Sequence, residues 1–228
     1  MRMDPCELFM FNFLWVFFSY LLGSIPFGYI VTRLSTGKNI LEIGWKKTSG
    51  SNVFRYIGKW QGALSGILDV LKGYFAVYFA QKLGFSIETQ IFSGIAAICG
   101  HNWSIFLKGA GGRGIGTMIG AFFVLSPKVL GFSLIPFVAM GIIWNLSIGT
   151  LLFFPTAIFF ALYFNQFETA GIFSLLVLIP VLIKRLSPID EIFPFKNKKN
   201  LIRNRLLFDN DQFLSDLRIK KILRKFTK

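Results

Sequence analysis

The chain has 228 residues, of which 54% are hydrophobic and 28 are phenylalanine, with a mean hydropathy of +0.58. A soluble domain sits nearer roughly 45–50% apolar, and the apolar residues here fall in long blocks, which excludes a water-soluble globular protein. The net charge of +14 lies between and after those blocks, which points to membrane orientation and anionic head groups or substrates, and away from nucleic acid.

The elements follow in chain order. Asp4 and Glu7 precede the first apolar run and no small-residue cleavage site follows it, so the run reads as a retained first span and not a signal peptide. A membrane helix needs about 20 mostly apolar residues. Residues 8–32 supply the first, broken near its end by GSIPFG at 23–28. A polar loop follows, with six Lys or Arg against the single acid Glu42 between Arg33 and Lys59. Residues 60–80 form the second span and carry Asp69 and Lys72; residues 89–107 form the third. Residues 115–125, 129–144, 148–164 and 169–183 bring the expected number to seven. Pro127 either separates the fourth from the fifth or kinks one longer helix.

Loop charge orients these spans. With the N-terminus outside, the inner segments hold the six basic residues of 33–59, then Lys108 and Arg113, then thirteen from Lys184 onward. The outer segments hold only Arg2, Lys82 and Lys128. The expectation is therefore an all-α integral membrane protein of about seven spans, N-terminus outside and C-terminus cytoplasmic. Residues 1–184 make the transmembrane domain and 185–228 a basic cytoplasmic tail. In that tail Ile219, Ile222, Leu223 and Phe226 recur at helical spacing among basic residues, which describes an amphipathic helix on an anionic bilayer face.

The residues that carry chemistry collect on the inner side. GHNWSIFLKGAGGRGIGTMIG at 100–120 holds the only histidine, His101, and six glycines from Gly109 onward, with Arg113 among them. Backbone without Cβ atoms approaches a bulky anion closely, and a helix start just after it adds positive field. The glycine spacing alone serves a tight interhelical turn equally well; His101, Arg113 and partners elsewhere favour a phosphate cradle. TSGSNVFR at 48–55 offers hydroxyls, Asn52 and Arg55, a second anion subsite or, equally by itself, a helix cap. Asp69 and Lys72 share a helix face at i, i+3 and pair within the bundle; Lys72 either serves that pair alone or also extends toward the site. The two cysteines, Cys6 and Cys99, and one histidine build neither a disulfide framework nor a metal site.

These residues resemble the bacterial membrane acyl-phosphate:glycerol-3-phosphate acyltransferases. That family's GSIPxGY is matched by GSIPFGY at 23–29, its GSGNxGATNVxR by GWKKTSGSNVFR at 44–55, and its LDxxKG by LDVLKG at 68–73. Its GHxFPxFxxFKGGKGVAT is matched from Gly100 to Thr117, and its NIxRLLxGTE only faintly around residues 200–211. The resemblance implies a seven-span fold of a bacterial inner membrane with its site facing the cytoplasm. It also implies transfer of an acyl group from acyl phosphate to the sn-1 hydroxyl of glycerol 3-phosphate, giving lysophosphatidic acid and phosphate, with no metal or organic cofactor. By position it implies His101 and Arg55 as catalytic residues, and Asn52, Gly111, Gly112, Arg113, Gly114 and Thr117 as substrate-binding ones. Where the family has SGN this chain has Trp45, Lys46 and Lys47, and Ala110 stands for the first loop lysine. Ser49 is then the expected replacement for the lost serine, with Ser51 capping a helix that begins near Asn52. The rival expectation, favoured by Trp45 and Ala110, is a non-catalytic relative that binds lipid or acyl chains.

Overall fold

The computed structural model describes residues 4–187 and 197–208, and the regular structure among them is helical throughout. Helix α1 (Pro5–Ser24) begins on a proline, with the Glu7 carboxylate accepting from the Asp4 N–H at 3.2 Å. It stops because Pro26 has no N–H to continue it and disfavours helical geometry at Ile25. The chain resumes as α2 (Phe27–Thr36) and ends on Gly37 at φ +69°. The break in GSIPFG therefore falls where the sequence places it.

After the polar loop come α3 (Gly50–Tyr56), α4 (Lys59–Lys82) and α5 (Ile87–Asn102). The glycine-rich loop leads into α6 (Ile115–Leu125), and α7 (Pro127–Ile143) follows at once. Pro127 opens α7, and the Ser126 hydroxyl accepts from the Val129 N–H at 3.3 Å, so the proline starts a new helix instead of kinking a long one. α8 (Leu146–Tyr163), α9 (Ile172–Leu186) and α10 (Lys198–Phe208) complete the described chain.

Among the described residues four segments are long and apolar enough to cross a bilayer: Pro5–Thr36, Lys59–Lys82, Leu146–Tyr163 and Phe167–Leu186. The other three expected spans correspond to α5, α6 and α7, which have 16, 11 and 17 residues. At 1.5 Å per residue, α6 reaches only about 16 Å, roughly half of a hydrocarbon core. Phe9, Phe13 and Phe159 are 71%, 61% and 61% exposed. Such apolar surface is stable only against lipid or another apolar partner.

Small residues set the helix pairs. α4 lies on α6 and α1 on α5. A Cβ on Gly73 would strike the Thr117 backbone, and one on Gly120 the Val70 backbone. Gly23 and Gly100 meet the backbones of Ala97 and Tyr20 in the same reciprocal way. Without a hydrophobic drive between helices in lipid, such close approach is what holds them together. Phe122 fills the centre of the bundle, with Phe153 and Phe173 edge-on at 5.5 Å and 5.4 Å.

The part of the tail that is described is docked. α10 packs on α8 and α9. Arg205 Nη1 donates to the Leu186 carbonyl at 2.9 Å, and Arg185 Nη1 to the Leu206 carbonyl at 2.7 Å. The amphipathic stretch around Ile219 to Phe226 lies outside the described residues.

Candidate active site

Helix α4 carries Asp69 and Lys72 on one face, and Lys72 Nζ reaches Asp69 Oδ1 at 3.0 Å, as their spacing requires. The same carboxylate oxygen lies 3.3 Å from His101 Nδ1 at the end of α5. Lys72 also donates to the Ile25 carbonyl at 3.0 Å, a group at the Pro26 break that has no helical partner to lose. The first and third family-like motifs are thus joined through Lys72, and Asp69 becomes the residue that orients the imidazole. The sequence reading confined Asp69 to its lysine. A signal was present, since Asp69 is the only acid between Glu42 and Glu88 and His101 the only histidine.

The loop after α5 is folded back onto that helix. Ser104 Oγ donates to the Ser24 carbonyl at 2.5 Å and Tyr20 Oη to the Trp103 carbonyl at 2.8 Å, which pins the loop to α1. The Gly109 N–H donates to Ser104, Ala110 to Leu107, and Gly112 to the His101 carbonyl at 3.0 Å. The amides of Gly109, Ala110 and Gly112 are thus bonded within the segment itself. A Cβ on Gly112 would run into His101 Nε2, and one on Gly111 into the His101 carbonyl. The two glycines are there to admit the histidine. What faces the adjoining space is Arg113, Gly114 and Gly116, where the first turn of α6 leaves N–H groups without intrahelical acceptors.

That space is a cavity of about 1,130 Å³. Its polar lining includes Ser49, Arg55, Asp69, His101 and Arg113. Apolar lining comes from Ala63, Ile67 and Val70 of α4 and from Leu146 of α8. The three expected catalytic residues, His101, Arg55 and Ser49, all line it, as do Arg113 and Gly114. Lys72, Asn52, Gly111, Gly112 and Thr117 do not.

Each of those five has a local reason. Lys72 points to Asp69 and Ile25, not into the cavity. Asn52 is fully buried; its Oδ1 accepts from Trp45 N at 3.0 Å, and its Nδ2 donates to the carbonyls of Ile43 and Lys47 at 3.2 and 2.8 Å. Its amide braces the loop 43–47. Thr117 is buried under α4 with its backbone against Gly73. The expected cap is corrected as well: α3 starts at Gly50 with Ser49 in the cap position, and Ser51, 3.3 Å from it between hydroxyls, is already inside the helix.

Two features escaped the sequence reading altogether. Trp45 stands beside both arginines, with Arg113 Cζ 4.8 Å and Arg55 Cζ 5.1 Å from its ring centroid. The two arginines, expected at two separate subsites, thus both lie beside one ring. Arg185, from the end of α9, also lines the cavity while its Nη2 donates to the Ser147 carbonyl at 3.0 Å. Among the described residues no three His, Cys, Asp or Glu side chains are grouped to hold a metal ion.

Comparison with known proteins gives this arrangement its context. The family profile described as glycerol-3-phosphate acyltransferase matches residues 13–194. A glycerol-3-phosphate acyltransferase of Prochlorococcus marinus (strain MIT 9312) is 35% identical over 192 residues, covering 82% of this chain and 97% of that protein. Glycerol-3-phosphate acyltransferase 1 of Dehalococcoides mccartyi (strain ATCC BAA-2266 / KCTC 15142 / 195) is 34% identical over 189 residues, 80% of this chain and 87% of the relative. Among solved structures, the glycerol 3-phosphate form of PlsY (YgiH), an integral membrane glycerol 3-phosphate acyltransferase, superposes with a TM-score of 0.66 at 28% identity. The alignment covers 79% of this chain and 91% of that one. The lysophosphatidic acid form of PlsY gives 0.68 at 26% identity, with the same coverage. With the profile spanning the bundle from α1 past the end of α9, the chain belongs to the glycerol-3-phosphate acyltransferase family of integral membrane enzymes.

Proposed function

We propose that this protein transfers an acyl group from an acyl phosphate to the sn-1 hydroxyl of glycerol 3-phosphate, releasing lysophosphatidic acid and inorganic phosphate. The observation that carries this reading is one cavity lined by Arg55, Arg113, a carboxylate-paired histidine and apolar side chains of the helices. An acyl phosphate is an activated mixed anhydride, so the task of the protein is positioning and charge stabilisation. The Asp69 carboxylate accepts a hydrogen bond from His101 Nδ1–H, which leaves Nε2 to take the sn-1 hydroxyl proton. The hydroxyl oxygen attacks the acyl carbon, a carbon–oxygen ester bond forms, and the bond from that carbon to the phosphate oxygen breaks. Phosphate departs with the electron pair.

The arginines and the start of α6 neutralise phosphate charge during that step, and the Ser49 hydroxyl adds a donor at the cavity wall. The acyl chain lies along α4, where Ile67 and Leu71 are 58% and 38% exposed and open the cavity toward lipid. No metal or organic cofactor enters this scheme. The donor in this scheme is the one that the motif resemblance implies. Purified protein given radiolabelled glycerol 3-phosphate is expected to form lysophosphatidic acid with palmitoyl phosphate and not with palmitoyl-CoA. Comparable rates with the thioester would refute the donor, and no product from either would leave the lipid-binding alternative.

In the same reading the chain crosses a bacterial inner membrane seven times with its N-terminus outside. Residues 1–184 then form the catalytic bundle, and residues 185–228 a basic tail against anionic lipid on the cytoplasmic side. The support is the basic bias of the loops that carry Arg55 and Arg113. Exposed Cys6 provides a native outside marker. In intact spheroplasts an impermeant maleimide should label Cys6 and fail to label a cysteine placed at Lys47; labelling of the latter would overturn the orientation.

A further inference from the structure

We infer that Trp45 is the positioning residue of the anion site: its indole face gathers the guanidiniums of Arg55 and Arg113 onto one point, so that both grip the same dianionic phosphate monoester. The inference rests on the acyltransferase reading for the identity of that monoester, glycerol 3-phosphate. It starts from the place where this chain departs most from its family, since Trp45 stands where the family pattern has a small serine. Arg113 Cζ at 4.8 Å and Arg55 Cζ at 5.1 Å from one ring centroid both fall within cation–π range, about 6 Å. All three side chains line the same cavity.

The ring is held in place by its own loop. Gly44 at φ +59° and Lys46 at φ 54° flank Trp45, and both are left-handed turns. Its backbone N–H is anchored to the fully buried Asn52 at 3.0 Å, and Asn52 in turn ties down Ile43 and Lys47. The indole edge meets Tyr56 at 6.0 Å and 83°. Asn52 is thus the brace of the ring that aims the arginines.

Two guanidiniums brought together without an anion repel each other, and each long side chain loses rotamer freedom when fixed. An aromatic face with its negative quadrupole offsets both effects before substrate arrives, and planar guanidinium is the cation best suited to lie over it. A small hydroxyl at this position donates one hydrogen bond to a substrate. The indole instead orders two charge-assisted donors. The geometry assigns the work of the missing serine to the arginines that Trp45 orders.

The test compares Trp45→Phe with Trp45→Leu in the full-length protein, read by KM for glycerol 3-phosphate, by kcat, and by calorimetric affinity for inorganic phosphate. Trp45→Leu should raise both KM and the phosphate Kd about 10-fold with kcat within about 3-fold, while Trp45→Phe keeps most of the affinity. In a Trp45→Leu background, Arg113→Gln should cost less than it does alone. Fluorinated tryptophans placed at position 45 by nonsense suppression leave the shape intact and should weaken phosphate binding in step with fluorination, which guards against misfolding of the leucine variant. Equal phosphate affinity for the leucine and phenylalanine variants, or no response to fluorination, would overturn the inference. A parent protein that binds phosphate and responds as described but transfers no acyl group would leave the inference standing and remove the acyltransferase reading beneath it. A parent that binds no phosphate removes the inference itself.

Discussion

Replacing His101 by Gln should lower turnover by about 100- to 10,000-fold, the usual contribution of a positioned general base. The loss should appear in kcat with thermal stability nearly kept, because Asp69 retains its 3.0 Å ion pair with Lys72. Asp69→Asn should behave differently. It removes the acceptor that sets the His101 tautomer, so activity falls, and it also leaves the Lys72 ammonium, 1% exposed, without its counter-charge. Stranding a buried charge costs about 3–5 kcal/mol, so this variant should also melt many degrees lower in detergent. The contrast is the point of the pair. Turnover in His101→Gln close to that of the parent would show that the histidine only packs between Gly112 and Asp69. A stable Asp69→Asn variant would show that the triad is not the anchor of α4 and α5.

The second large effect belongs to the arginines. Arg55→Ala and Arg113→Ala should each weaken glycerol 3-phosphate by about 1.5–3 kcal/mol, the range for a charge-assisted hydrogen bond, which is a 10- to 150-fold rise in KM. Because both guanidiniums share the Trp45 ring, the double variant should lose less than the sum of the two. Lysine at either place should restore charge but not geometry, since an ammonium lacks the planar fork. Additive losses in the double variant would indicate two independent phosphates, one for each arginine, as the linear reading of the motifs implies. Unchanged KM in either single variant would mark that arginine as a topology charge only.

The sequence by itself determined the membrane character and the local breaks of this protein, because both depend on short-range properties. Apolar blocks of membrane length and the interruption at Pro26 follow from hydropathy and from a missing N–H, whereas the structure decided that Pro127 starts a new helix. The Asp69–Lys72 pair was legible for the same reason, since i, i+3 spacing on a helix fixes proximity. His101, Arg55, Ser49, Arg113 and Gly114 were named in advance through ordered motifs and meet at one cavity. The tertiary structure alone decided which side chains look into that cavity and which look away. Asn52 and Lys72 carry groups as suitable for an anion as any, yet local acceptors at Ile43, Lys47, Asp69 and Ile25 engage them first. Gly111 and Gly112 read as an anion loop until the packed imidazole shows whom they admit. Linear spacing by itself does not bring Asp69 to His101 across 32 residues, or Trp45 to Arg55 and Arg113 together. Those contacts arise only when α4 and α5 pack and the loops that carry Trp45 and Arg113 come together, and contacts between distant segments are set by packing, not by any local periodicity.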